Sequence, residues 1–147
     1  VTGAVIDLGG NILCIGGKNK GDDFRIGIRQ PFADREETVA VVDINGKSVV
    51  SSGIYERYIK TDEGTMYHHI LDPQTGQPSR LHQSVTVIAP SALDADYHST
   101  LFFLLPTTEI KNRLTAAKDL AVVIVENDGS IFVSENLQQT WQPAKGI

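Results

Sequence analysis

Asp96 and Thr100 stand four residues apart in the apolar segment 92–105, so on a helix they share a face about one turn from each other. A carboxylate and a hydroxyl in that arrangement suit Mg²⁺, which takes few protein ligands and completes its octahedron with water and phosphate oxygens. The same pair also reads as a solvated helix face. His68 and His69 are adjacent in a run that reads as a strand, where successive side chains point to opposite faces, so one of them at most addresses a given site. An imidazole there is either a general base for a hydroxyl nucleophile or a structural residue, since no metal-ligand spacing partner lies nearby. Ser51-Ser52-Gly53 reads as a strand end or bulge. Alternatively, it is a phosphate site where Ser52 supplies a hydroxyl and Gly53 lets the backbone approach. Asp72-Pro73-Gln74-Thr75-Gly76 is a tight-turn string. Gly9-Gly10 marks a bulge or a close backbone approach, and no G-x-G-x-x-G opens a helix.

The elements that must position these residues are mostly short strands. Runs of β type cover 4–8, 11–15, 24–28, 38–44, 47–52, 55–60, 66–71 and 84–89, with turn residues between them. Asn45-Gly46 between the fourth and fifth runs predicts a type I′ hairpin. Asp62-Glu63-Gly64 predicts a second turn, joining a strand with Tyr55 and Arg57 to a strand with His69. After Pro90, Ser91 and Asp94 form a capping-box-like start for a helix over 92–105, which Pro106 ends. Thr107 can cap a second helix to Lys118, with Ile110, Leu114 and Ala117 at helical spacing. A final hairpin joins 121–126 to 131–133 through Asn127-Asp128-Gly129, and the tail around Trp141 carries no assignable pattern. The sum is an α+β fold, an antiparallel-rich sheet with two helices late in the chain.

Composition narrows the function classes. The chain has 147 residues, 41% hydrophobic and 21% charged, enough for one domain with a real core. Its formal charge is -5 and its 13 Lys and Arg are scattered, so it offers no basic stripe to a nucleic-acid backbone. Cys14 sits in an apolar run as a small hydrophobe, and a single cysteine forms no internal disulfide. No apolar stretch reaches the roughly 20 residues that span a bilayer. Residues 1–8 already read as a strand, which suggests a chain that opens in the middle of a fold.

Taken in order, IDLGGNI at Ile6, SSGIYERY at Ser51, YHHILDPQTGQP at Tyr67, SVTVIAP at Ser84 and ADYHST at Ala95 resemble the ApbE family. Its members are long described as thiamine-biosynthesis lipoproteins and are understood as flavin transferases. The resemblance covers about Ile6 to Phe103 and implies an ApbE-like fold, of which residues 1–147 are the C-terminal portion, with the N-terminal half of the domain absent. It implies Mg²⁺ held by Asp96 and Thr100, and FAD as substrate. It also implies His69 as the catalytic histidine that activates the incoming hydroxyl, and Ser52, Gly53, Tyr55, Arg57, His69 and Ile70 along the FAD site. His68 would face away, and Asp72, Pro73, Thr75 and Gly76 would be scaffold.

The activity implied is transfer of FMN from FAD to a Thr or Ser hydroxyl of an acceptor flavoprotein, with AMP leaving. The alternatives are an FAD pyrophosphatase giving FMN and AMP, and a flavin-binding module without turnover. The fragment alone is expected to bind FAD weakly and to be inactive, because the absent half supplies most flavin and adenine contacts and a further metal ligand. By the same analogy the parent protein is a lipoprotein of the cell envelope, with a cytoplasmic member as the alternative. Tyr97 and His98 depart from the family's small or apolar residues between the metal Asp and Thr, and are expected to alter packing or add a surface histidine. Asp7 and Asn11 stand where members tend to have Asn and Asp.

Overall fold

Alternating apolar residues in strands, with turn residues between them, fold this chain into three layers. The computed structural model describes residues 2–18, 21–137 and 140–143. Its strands are β1 Gly3–Asp7, β2 Asn11–Gly16, β3 Phe24–Arg29, β4 Thr38–Ile44, β5 Ser48–Gly53, β6 Tyr58–Lys60, β7 Met66–His68, β8 His82–Ala89, β9 Ala121–Glu126, β10 Ile131–Val133 and β11 Trp141–Pro143. The helices are α1 Ala92–Phe103 and α2 Thr107–Ala116. The central layer is a six-stranded sheet in the order β1-β2-β5-β8-β9-β10, antiparallel throughout. A three-stranded sheet, β11-β4-β3, covers one face, and β6-β7 forms a separate two-stranded ribbon.

The period of two along the central strands builds a core on each face. Toward the small sheet lie Cys14, Ile26, Ile28, Val42, Val49, Ile88 and Val123. Toward the helices lie Val50, Val85, Val87, Phe102, Phe103, Ile110, Val122 and Ile124. β8 and β9 are buried on both faces, which is why they read as nearly unbroken apolar runs. Cys14 is buried, and burial raises its thiol pKa, as a structural thiol requires.

Asn45-Gly46 does not make a hairpin, because β4 and β5 belong to different sheets. A type I′ turn needs positive φ at both central residues, and only Gly46 has it, at 58°. The Asn45 side chain instead donates to the Gly21 carbonyl and to Asp23, so the pair is a corner that carries the chain from one sheet to the other. The turns at 62–64 and 127–129 do join antiparallel pairs, β6 to β7 and β9 to β10. Gly9-Gly10 is the β1–β2 turn, where the Gly10 amide donates to Asp7 at 3.0 Å.

Several boundaries differ from the sequence pattern. β6 begins at Tyr58, leaving Tyr55 and Arg57 in the preceding turn, and β7 ends at His68, leaving His69 outside it. α1 ends at Phe103, two residues before the predicted end, with Leu104 as its cap. α2 starts after Pro106 with no side-chain cap and stops at Ala116, and Thr107 donates to Glu126 instead. The tail around Trp141 gains its strand by pairing with β4, a long-range partner invisible to local pattern. Val1, at the start of the first predicted run, lies outside the described residues.

Candidate functional site

Ser51 and Ser52 are consecutive on β5 and therefore face opposite layers. Ser51 shares a hydrogen bond of 2.8 Å with Thr86, its partner across the β5–β8 ladder. Ser52 turns toward α1, where its hydroxyl lies 2.9 Å from Ser99 Oγ and 3.3 Å from Thr100 Oγ1. The helix holds these hydroxyls in place because Ser91 caps its first turn, accepting from the Asp94 amide at 3.4 Å. Ser99 is buried and donates to the Asp96 carbonyl at 2.9 Å. Asp96 and Thr100 are exposed on the same face of α1, so one carboxylate and one hydroxyl meet solvent together, with Ser52 half-buried against Thr100.

His68 and His69 divide at the end of β7. His68 is buried, whereas His69 is exposed and its Nδ1 lies 3.4 Å from the Arg57 carbonyl, a long hydrogen bond. Ile70 is 6% exposed in the helix-side core. Its amide donates to His68 Nδ1 and its carbonyl accepts from Ser79, so both of its backbone polar groups already have protein partners. The following turn is self-contained: Asp72 accepts from the Gln74 amide and the Thr75 hydroxyl, and its carbonyl accepts from the Gly76 amide. The Asp72 carboxylate is thus the scaffold of its own turn.

Gly53 is required by Tyr55. A Cβ on Gly53 would stand 2.4 Å from the Tyr55 ring, so the absent side chain lets that ring fold over the end of β5. Burial raises the Tyr55 phenol pKa, with Glu56 adding to the rise and Arg29 opposing it. The Arg29 guanidinium lies 5.1 Å from the Tyr55 ring centroid and pairs with Glu56 at 2.8 Å. Phe32 sets its ring edge against both Tyr55 and Tyr58, from a backbone with φ of 61°.

The structure therefore gathers the predicted residues in two groups. Asp96 and Thr100 sit on the open part of α1 with Ser52 of β5 against Thr100, and Tyr55, Arg57 and His69 sit in the turns beyond β5 and β7. Among the described residues no hydrogen bond joins His69 to Asp96 or Thr100. Sequence reading passed over Ser99, although it stands three residues after Asp96 on the same helix, and over Arg29 and Phe32, whose contacts are with residues far along the chain. Tyr97 and His98 stay apart from the hydroxyl row: Tyr97 is exposed, and His98 donates to the Asp94 carbonyl and packs on Phe102.

Among the described residues no three His, Cys, Asp or Glu side chains converge, so a zinc-type cage has no ligands here. One exposed carboxylate beside hydroxyls fits a hard cation that draws its other oxygens from water or phosphate. A cavity of about 710 Å³ between Phe32, Glu36, Val41, Ile131 and Gln142 contains none of the predicted residues. A smaller one of about 190 Å³ is lined by Gly9, Gly10, Arg29, Ser51, Tyr55 and Glu56.

Fold and site together define an α+β domain whose antiparallel sheet is covered by helices on one face and a small sheet on the other, with oxygen donors exposed along α1. Comparison with known proteins makes this specific. The ApbE family profile matches residues 1–124, and the chain belongs to the ApbE family. A Klebsiella pneumoniae (strain 342) protein named FAD:protein FMN transferase is 38% identical over 141 residues, 95% of this chain and 42% of that protein. A Treponema pallidum protein of the same name is 41% identical over 112 residues, 69% of this chain and 30% of the relative. Among solved structures, the ApbE protein of Thermotoga maritima superposes with a TM-score of 0.84 at 33% identity, over 94% of this chain and 44% of that one. The apo flavinyl transferase ApbE of Pseudomonas stutzeri does so with a TM-score of 0.71 at 28% identity, over 95% of this chain and 43% of that one. The chain spans less than half the length of these relatives.

Proposed function

We propose that this chain is the C-terminal portion of a magnesium-dependent flavin transferase, which moves FMN from FAD to a Thr or Ser hydroxyl of an acceptor protein and releases AMP. The observation that carries this reading is the linked Ser52, Ser99 and Thr100 hydroxyls at the α1 face that also exposes Asp96, in a chain whose curated relatives bear the name FAD:protein FMN transferase. Asp96 and Thr100 would hold Mg²⁺, which when bound supplies positive charge to pyrophosphate oxygens. Ser52 turns its hydroxyl to the same face, and Arg57 offers an exposed guanidinium for a phosphate. Gly53 and Tyr55 shape the wall beyond β5, and Ile70 is buried in the helix-side core.

His69 is the base in this reading. Its Nδ1 faces a carbonyl, which only accepts, so a neutral ring carries its proton there and keeps Nε2 free as a lone pair. The acceptor hydroxyl oxygen forms a bond to the FMN-side phosphorus, the bond from that phosphorus to the bridging oxygen breaks, and AMP leaves with that oxygen. The hydroxyl proton passes to His69 Nε2. The parent protein is proposed to work at the cell envelope as an extracytoplasmic lipoprotein, and recovery of the full-length protein in the cytosolic fraction would reject that placement.

The test is incubation of a full-length protein carrying this chain with FAD and an acceptor protein, with Mg²⁺ or with EDTA. Covalent flavin on the acceptor together with metal-dependent AMP supports transfer. Free FMN and AMP with an unmodified acceptor makes the protein an FAD pyrophosphatase, and no AMP under any condition leaves it a binding module.

A further inference from the structure

His68 points away from the candidate site, is 8% exposed, and yet both of its ring nitrogens are engaged. Nε2 lies 2.8 Å from the Ser79 carbonyl, which can only accept, so Nε2 carries the proton and donates it. The Ile70 amide can only donate, and it points at Nδ1 from 3.3 Å, so Nδ1 is a lone pair. The two bonds together specify one neutral tautomer. They also bracket His69, since the ring of one neighbour holds the backbone of the other.

Ser79 carries this hold to the helix. Its amide donates to the Ile70 carbonyl at 3.0 Å, its carbonyl accepts from His68 Nε2–H, and its buried hydroxyl donates to the Phe103 carbonyl at 3.3 Å. Phe103, fully buried, is the last residue of α1, and its ring meets the His68 ring edge-on with centroids 6.1 Å apart. A continuous chain of contacts thus runs from the backbone on either side of His69 to the helix that bears Asp96 and Thr100. No hydrogen bond joins His69 to those residues among the described ones.

We infer that His68 is a positioning residue that, as the Nε2–H tautomer, locks the His69–Ile70 segment to the end of α1 and so sets the proposed base relative to the proposed metal ligands. The inference rests on the functional reading above. It makes the knot sensitive to acid, because a proton on Nδ1 would set an N–H against the Ile70 N–H. Burial lowers the His68 pKa, and the neighbouring charges of His69 and Arg80 act in the same direction, while the Ser79 carbonyl opposes them. His82 also packs on Phe103, with ring centroids 6.0 Å apart.

The test compares His68→Ala, His68→Asn and His68→Gln in the full-length protein. Asn places an oxygen where Nδ1 accepts, and Gln places an amide N–H where Nε2 donates. In His68→Ala, kcat for AMP release should fall about 10- to 100-fold with the KM for FAD little changed, as misplacement of a reacting group would cause. The Ile70 amide should exchange faster in the same variant. His68→Asn should restore Ile70 protection and most of kcat, and ¹⁵N spectra of the wild type should show the Nε2–H tautomer at neutral pH. Wild-type kcat in His68→Ala, unchanged Ile70 exchange, or an Nδ1–H or doubly protonated ring would each overturn the inference. If His68→Ala does not fold, the Asn and Gln variants carry the comparison. A wild type that releases no AMP sinks the flavin-transfer reading, and the tautomer and the Ile70 exchange still test the knot.

Discussion

The two ends of α1 handle polar groups in opposite ways. Between Asp96 and Thr100 the helix is open: the Asp96 carboxylate and the Thr100 hydroxyl face solvent, and the hydroxyls of Ser99 and Thr100 hydrogen-bond that of Ser52. Past Phe102 it is closed, and two buried histidines press on the ring of Phe103. Those histidines differ in turn. His68 is bonded as a neutral ring, with one donor and one acceptor nitrogen. His82 faces an acceptor on each side, Glu126 on Nδ1 and the Leu105 carbonyl on Nε2, both at 2.8 Å. The lesson is that polarity at the closed end is paired within the fold, whereas at the open end the Asp96 carboxylate and the Thr100 hydroxyl stay exposed, which is what the proposed metal site requires.

The comparison breaks most directly at Phe103. Phe103→Ala removes a fully buried ring that both histidines touch, and should cost about 3–5 kcal/mol in urea unfolding. A loss under ~1 kcal/mol would show that the closed end does not depend on it. At the open end, Asp96→Ala should do the reverse. Stability should stay within about 0.5 kcal/mol, because the residue is exposed, while AMP release by the full-length protein falls at least ~100-fold. Equal loss of stability and rate would erase the distinction between the ends.

A smaller effect belongs to the pair on β8 and β9. Glu126→Gln leaves buried His82 with a neutral partner and alters the bond from Thr107, so about 1–3 kcal/mol should be lost. Thr107→Val should lose part of that and add little in the double variant, since both changes act on one network. Additive losses would mean that Thr107 and His82 use Glu126 independently.

The open end was far more legible in the sequence than the closed one. Asp96 and Thr100 share a face by helical spacing alone, and Ser91 announces the helix start, so local rules suffice there. The Asn45-Gly46 pair misled because a turn string reports a bend and not which strands the bend pairs. Likewise Thr107 looked like a cap because its long-range partner, Glu126, cannot be read from a window of neighbours. Strand alternation predicted that His68 and His69 part, and they do so in burial, but His69 lies beyond the end of β7, and the Ser79–Phe103 link beside His68 depends on tertiary packing. Gly53 was read as room for a ligand, and the structure gives that room to the Tyr55 ring.

The smallest expected effect is on the pH dependence of stability, and its sign follows from His68. In the unfolded chain the ring takes up a proton at the ordinary histidine value, about 6.5, whereas burial holds the folded ring's pKa below that. Between the two values the unfolded state binds more protons, so stability must rise with pH. The contribution of His68 is therefore complete above the ordinary value and is lost as pH falls through the folded one. His68→Asn cannot titrate, so the slope of unfolding free energy against pH below about 6.5 should be shallower than in wild type, with the curves converging in shape above it. A slope unchanged by His68→Asn would mean that the ring is already charged or solvated in the fold. The contrast between the neutral His68 and the doubly bonded His82 would then have to be given up.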